Sequence, residues 1–169
     1  MSRRNSIQTI VLTSLAIAII FVSTMFIKIP NAIDGYFNLG DGFVLLFAMI
    51  LPPVPAFLAG ALGSALADLA GGYAYYFMAT FIIKGLEALI VSKCVRKYGP
   101  SIQLQSSIVA GMWMVFGYFL FKWYLKGSVL IAIAGIPGNI IQMISGIMIA
   151  YTAYPIVVRS IKHRFVSMH

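Results

Sequence analysis

Long apolar runs, interrupted by short polar, proline-rich or glycine-rich segments, organise this chain. A helical membrane crossing takes about 20 apolar residues, and fewer where a helix is buried among its neighbours. By that measure the pattern predicts six transmembrane helices, at about 7–27, 39–51, 56–70, 73–91, 102–124 and 129–158. Lys28-Ile29-Pro30-Asn31 ends the first, and a polar loop runs to Asn38. Pro52-Pro53-Val54-Pro55 separates the second from the third, since prolines interrupt a continuous helix. Gly71-Gly72 and Gly99-Pro100 mark further turns. Gly135-Ile136-Pro137-Gly138 predicts a kink or a broken entry in the long sixth span. The fold class expected is all-α integral membrane, in one six-helix domain spanning residues 1–169.

Composition narrows the class. Of 169 residues, 61% are hydrophobic and 9% charged, against about 45–50% and 25% for a soluble domain. The bilayer must therefore solvate much of the surface. The formal charge of +8 would suit nucleic acid in a soluble protein, but the basic residues lie at the chain ends and in one loop, so membrane orientation accounts for them and no nucleic acid is expected. The single Cys94 excludes an intramolecular disulfide and a Cys-based metal cluster. The apolar run after Arg3-Arg4 continues to Ile27 without a clear small-residue cleavage site, so it reads as a retained first span. No soluble domain, nucleotide-binding loop or long linker is visible.

Six spans put both termini on one side. Arg3, Arg4, Lys93, Arg96, Lys97, Arg159, Lys162 and Arg164 then share the cytoplasmic face, against Lys28, Lys122 and Lys126 outside. That bias predicts cytoplasmic termini in the cell membrane of a prokaryote, and it disfavours a five-span count that would split the two basic ends.

The polar residues inside this apolar frame carry the candidate chemistry. Asp34, Asp41 and Asp68 are expected toward the outer face, while Lys84 and Glu87 sit at i,i+3 on one side of the fourth span. Charges within a bilayer face the protein interior or a wet cavity. Lys84 and Glu87 therefore read either as a self-neutralising ion pair or as ligand contacts, and a substrate completing the network would satisfy both readings. Asn139 and Gln142 repeat the i,i+3 spacing just after Pro137-Gly138. They read as interhelical hydrogen-bonding glue or as ligand-reading amides beside freed backbone. Tyr73, Tyr75, Tyr76 and Phe77, with Trp113, Tyr118, Trp123 and Tyr124, fit interfacial anchors. Tyr75 and Tyr76 also fit the wall of a site for a flat heterocycle. Asn38, Asp41 and Thr80 complete the candidate ligand set. Small residues form stripes at Ser14 and Ala18, at Ala56, Gly60 and Ser64, and at Ala59, Gly63 and Ala67. Such stripes permit close helix approach, within the chain or onto another membrane protein. His163 and His169 lie in the basic tail away from every carboxylate, so neither a catalytic set nor a metal site is expected.

Three stretches in order carry a resemblance. They are Asn38-Leu39-Gly40-Asp41-Gly42, then Pro52-Pro53-Val54-Pro55-Ala56-Phe57-Leu58-Ala59-Gly60-Ala61-Leu62-Gly63-Ser64-Ala65-Leu66-Ala67-Asp68, then Lys84-Gly85-Leu86-Glu87. With Pro137-Gly138-Asn139-Ile140-Ile141-Gln142 and the overall size, nearly the whole chain resembles the substrate-binding (S) components of energy-coupling factor (ECF) vitamin transporters. The resemblance implies a six-helix subunit that binds a vitamin or precursor near the outer face, partly covered by the loop between helices one and two. It implies docking onto a membrane coupling subunit (EcfT-like) carried by two cytoplasmic ATPases. It also implies a bodily reorientation in the membrane to deliver substrate. ATP and Mg would bind those partners, with no cofactor on this chain. The family's first helix bears a small-residue docking motif, usually alanines, for which Ser14, Ala16 and Ala18 are the nearest match, the serine departing from the pattern. The likeness is greatest to the hydroxymethylpyrimidine or pyridoxine branch, with pantothenate next. A non-transport membrane scaffold is the alternative function. It explains the small-residue stripes but gives the buried charges no role. An intramembrane enzyme lacks its catalytic residues.

Overall fold

The structure, a computed structural model, describes residues 3–26, 28–30 and 36–166. Asp34, placed by the sequence in the first outer loop, lies outside the described residues, as does His169. The long helices are α1 (Arg3–Phe26), α2 (Gly40–Ile50), α3 (Pro53–Ala70), α4 (Phe77–Tyr98), α5 (Gln103–Lys126), α6 (Val129–Ala134) and α7 (Ile136–Val166). Short 3₁₀ turns at Ala74–Tyr76 and Pro100–Ile102 lead into α4 and α5.

One element departs from an all-helical reading. Strands β1 (Lys28–Pro30) and β2 (Tyr36–Asn38) pair antiparallel between α1 and α2, with Lys28 opposite Asn38 and Pro30 opposite Tyr36. Three-residue strands leave almost no periodicity in a sequence, which is why pattern alone reads the segment as a loop.

The chain breaks between α2 and α3 at Leu51-Pro52, where the prolines are expected to separate two helices. Pro52 caps α3, and Pro53 and Pro55 lie within its first turn, where the missing N–H groups would have had no intrahelical partner. The helical ladder begins with Ala56 N–H donating to Pro52 O (2.8 Å). The sixth span is divided: α6 stops at Ala134 and α7 begins at Ile136. Pro137 supplies no N–H, and its ring opposes the carbonyl of Ile133, so the ladder cannot run through.

Helices α1, α3, α4, α5 and α7 pack in sequence around α2, which contacts α1, α3, α4 and α7. Enclosure explains the composition of α2: Val44, Leu45, Leu46, Phe47, Ala48 and Met49 are all buried. Its 11 residues reach about 16 Å, about half the hydrocarbon thickness, so α2 is an interior helix of less than membrane length. Four stretches are long and apolar enough to cross a membrane: Ser6–Phe26, Pro53–Ala70, Pro100–Lys126 and Val129–Ser160. Their outer faces stay apolar, with Ile10, Val11, Val109, Met112, Leu130 and Ile141 all exposed. In water that surface would drive association, whereas in lipid it is at no disadvantage.

The small-residue stripes of α3 face two neighbours. A β-carbon on Gly60 would lie 2.7 Å from the backbone oxygen of Lys84, so the absence of one is what lets α3 and α4 meet. Gly63 faces α1 instead, against Ile17 and Ile20.

Candidate ligand-binding site

Three helices deliver charge or amide groups to one buried point. Asp41 lies in the first turn of α2, where a carboxylate suits the helix N-terminus. It sits close to α7 because Gly146 has no side chain: a β-carbon there would come within 2.9 Å of Asp41 Cβ. One helical turn before Gly146, Gln142 reaches the same carboxylate and donates from Nε2 to Asp41 Oδ2 (3.0 Å). From α4, Lys84 Nζ donates to Asp41 Oδ1 (2.5 Å) and to Glu87 Oε2 (2.9 Å). Asp41, Lys84, Glu87 and Gln142 are each at most 3% exposed.

The i,i+3 spacing of Lys84 and Glu87 thus becomes an ion pair, with Asp41 as a second anion that no local spacing could reveal. Two carboxyl groups share one ammonium in an interior shielded from solvent. Breaking such a buried pair is costly, and the second carboxyl group has acceptor capacity left for a further hydrogen-bond donor or cation.

A second layer follows one turn along α4. Tyr76, Thr80 and Lys84 are spaced by four residues and all are buried. Tyr118 on α5 donates from its hydroxyl to Thr80 Oγ1 (3.1 Å), and its ring centroid is 5.6 Å from Lys84 Nζ. Asp68, Asp41 and Glu87 all lie within electrostatic reach of that hydroxyl. The Tyr76 ring lies 6.3 Å from Tyr118 and 5.2 Å from Phe121, extending the aromatic wall. Trp113 Nε1 donates to Ile83 O (3.1 Å) and fixes α5 against α4 beside the charges.

The sequence-chosen residues therefore divide. Asp41, Lys84, Glu87, Gln142 and Asn38 form one hydrogen-bonded group; Thr80 and Tyr76 line its extension. Tyr75 is 46% exposed, and its ring centroid lies 5.1 Å from that of Tyr76, at the edge of the group. Asn139 is half-buried, and its side chain makes no hydrogen bond among the described residues. Of the docking residues, Ser14 and Ala18 are exposed, but Ala16 is fully buried in the core. Two residues along a helix turn a side chain by about 200°, so Ala16 cannot share the face of Ser14 and Ala18. That face, with Ile17 and Phe21 and with Leu66, Leu69 and Ala70 of α3, lines an apolar groove of about 480 Å³.

Tyr118 was legible only as an anchor, although its spacing from Lys122 places both on one face of α5. Lys122, assigned from sequence to the outer side, is 6% exposed and packs against Gly135 at the α6–α7 break. Among the described residues no group of three or more His, Cys, Asp or Glu is arranged to hold a metal.

An apolar helical bundle with four stretches long enough to cross a membrane, enclosing a charged and amide-lined cluster, defines a membrane protein with an internal polar site. The chain matches the family described as "ECF-type riboflavin transporter, S component" over residues 4–159, and it belongs to that family. It is accordingly a prokaryotic membrane protein of the type that serves vitamin transporters as the substrate-binding subunit. A Pyrococcus woesei protein described as "Uncharacterized protein in gap 3'region" is 39% identical over 132 residues, which is 76% of this chain and 86% of that protein. A UPF0397 protein of Lactiplantibacillus plantarum is 42% identical over 65 residues, 38% of this chain and 35% of that protein.

Proposed function

We propose that this chain captures a small N-heterocyclic vitamin or vitamin precursor for an ATP-driven ECF-type importer of the cell membrane. The observation that carries the reading is the Asp41–Lys84–Glu87–Gln142 cluster, with two carboxylates against one cation inside an apolar shell. A substrate offering an amino group or a protonated ring nitrogen would donate to the second carboxyl group, and tyrosine rings would stack on its faces. Hydroxymethylpyrimidine and pyridoxine suit that chemistry best, with pantothenate next. Riboflavin is the second reading, because the matched family carries that name. The amides of Asn38 and Gln142 are of the kind that would read its uracil-like edge.

In this reading the chain crosses the membrane as six helical segments, with α2 completing its passage through the hairpin, and both termini lie in the cytoplasm. Ser14 and Ala18 meet the EcfT-like coupling subunit at the α1–α3 groove, and two cytoplasmic ATPases bind ATP and Mg. This chain needs no cofactor and catalyses no reaction of its own.

Native mass spectrometry of the purified protein tests the substrate. A bound mass of hydroxymethylpyrimidine or pyridoxine is expected. A yellow preparation carrying riboflavin would instead establish the second reading, and calorimetry showing no heat with any of the four compounds would overturn capture altogether.

A further inference from the structure

Lys84 pairs with carboxyl groups on two helices. Its Nζ lies 2.5 Å from Asp41 Oδ1 on α2 and 2.9 Å from Glu87 Oε2 on α4. Asp41 and Glu87 are each 1% exposed, and Lys84 is 2% exposed. A lone charge taken out of water is so costly that a buried group sheds it by gaining or losing a proton. One ammonium balances one carboxylate. Ionising all three groups would leave the second carboxylate unbalanced in an apolar shell.

The elements packed around the cluster bring neutral or acidic groups to it. From α7, Gln142 offers a neutral amide, donating from Nε2 to Asp41 Oδ2 (3.0 Å). From α5, the uncharged Tyr118 ring stands 5.6 Å from Lys84 Nζ, and its hydroxyl donates to Thr80 Oγ1 (3.1 Å). From α3, Asp68 is a further acid within electrostatic reach of that hydroxyl. Tyr76, on the 3₁₀ turn, faces Tyr118 with a neutral ring. Lys122, one turn beyond Tyr118, packs against Gly135 at the α6–α7 break. Among the described residues, the ion pairs of Asp41 and Glu87 are both with Lys84.

We propose that the Asp41–Glu87 pair holds one proton in the ligand-free protein, and that the site takes its ligand as a cation in exchange for that proton. The inference rests on the substrate-capture reading above and narrows its ligand class. Glu87 is the holder. Asp41 accepts from both Lys84 and Gln142 and lies in the first turn of α2, where a negative charge is favoured, whereas Glu87 accepts from Lys84. On binding, the carboxyl O–H bond breaks and its electron pair stays on the carboxylate oxygen. The proton passes to the ring nitrogen of a ligand that arrives neutral, or to water when the ligand arrives charged. Either route ends with two cations, ligand and Lys84, against two carboxylates. The favoured ligand is therefore a heterocycle with a nitrogen basic enough to carry a proton.

Infrared difference spectroscopy of the full chain tests both halves, in a detergent without ester groups, whose carbonyls would hide the signal. A protonated carboxyl group has a C=O band, sensitive to D2O, that a carboxylate lacks. The chain has four acidic residues, so single variants assign the band. The ligand-free protein at neutral pH should show it, and Glu87→Gln should lose it. Asp41→Asn should lose it as well, because Lys84 and Glu87 alone are balanced. That second loss separates a proton held by the pair from a carboxyl group kept neutral by burial alone. Unchanged circular dichroism checks that each variant is folded. Saturating pyridoxine or hydroxymethylpyrimidine should abolish the band. Carbon-13 labelling of the protein keeps it apart from the carbonyls of riboflavin, the third probe. The exchange is overturned if the ligand-free protein has no band that Glu87→Gln removes, or if Asp41→Asn keeps that band. A probe that binds by calorimetry and leaves the band in place also overturns it, while capture itself stands. If none of the three probes binds, capture of these compounds and the exchange both fail, and the ligand-free band still decides whether the cluster holds a proton.

Discussion

Lys84 is the residue on which the interior charges depend. It is 2% exposed and donates to both Asp41 and Glu87. Lys84→Met keeps most of the side-chain volume but leaves two carboxylates without their cation. The expected cost is about 3–5 kcal/mol, the range for stripping one partner from a buried pair. A lowered thermal midpoint and lost ligand binding, read by scanning calorimetry and titration, check this. Glu87→Gln should act in the opposite sense on stability. Its amide oxygen still accepts from Lys84, and the cluster becomes formally neutral, so the fold should be at least as stable. Ligand affinity should nevertheless fall about tenfold or more if the bound group is a donor or a cation. A stable Glu87→Gln protein with unchanged affinity would remove Glu87 from the site.

At the scale of elements, close helix contacts set the positions of the charges. Gly60 and Gly146 each sit where an added β-carbon would strike the neighbouring helix, at Lys84 O and at Asp41 respectively. A main-chain oxygen cannot rotate away as a side chain can. Gly60→Ala should therefore push α3 from α4 and cost about 1–3 kcal/mol. Because α4 carries both Lys84 and Glu87, weaker ligand binding should accompany the lower thermal midpoint. Gly72→Ala meets nothing within 4 Å but has φ of +84°, so any loss there reflects backbone strain and should leave the cluster intact. Comparing the two separates packing at the site from general loss of stability.

For the whole molecule, two surfaces have different expected roles. Ser14 and Ala18 lie exposed on α1 beside Leu66, Leu69 and Ala70, remote in sequence from the polar cluster. Ser14→Leu with Ala18→Leu should fill the groove and abolish copurification with a coupling subunit and ATPases, while ligand titration of the isolated chain stays unchanged. Retained copurification would move the docking face elsewhere. Topology has its own test. In a Cys94→Ser background, a membrane-impermeant maleimide applied to intact cells should label Ser128→Cys, at the turn after α5, and spare Ser101→Cys, in the basic turn after α4. The reverse pattern would invert the orientation inferred from the arginines and lysines.

The sequence alone determined that this is a bundle of membrane helices, and it marked where most of them break. Apolar length, proline and glycine act locally, so they can be read without knowing what lies opposite. It also identified Lys84, Glu87 and Gln142 as polar residues in an apolar frame, where a charge must have a reason. What those residues touch was a tertiary decision. Asp41 is 43 positions from Lys84 and 101 from Gln142, and no spacing rule connects helices that approach through glycines. Helix geometry alone puts Ala16 opposite Ser14 and Ala18, but which of the two faces packs inward was a tertiary decision: Ala16 is buried and the other two are exposed. So was the pairing of the three-residue strands, too short to show a period, which the Asn38–Gln142 contact ties to α7. Local patterning is written into the order of residues. The meeting of charges depends on which helix faces which, and that was settled only when the apolar surfaces packed.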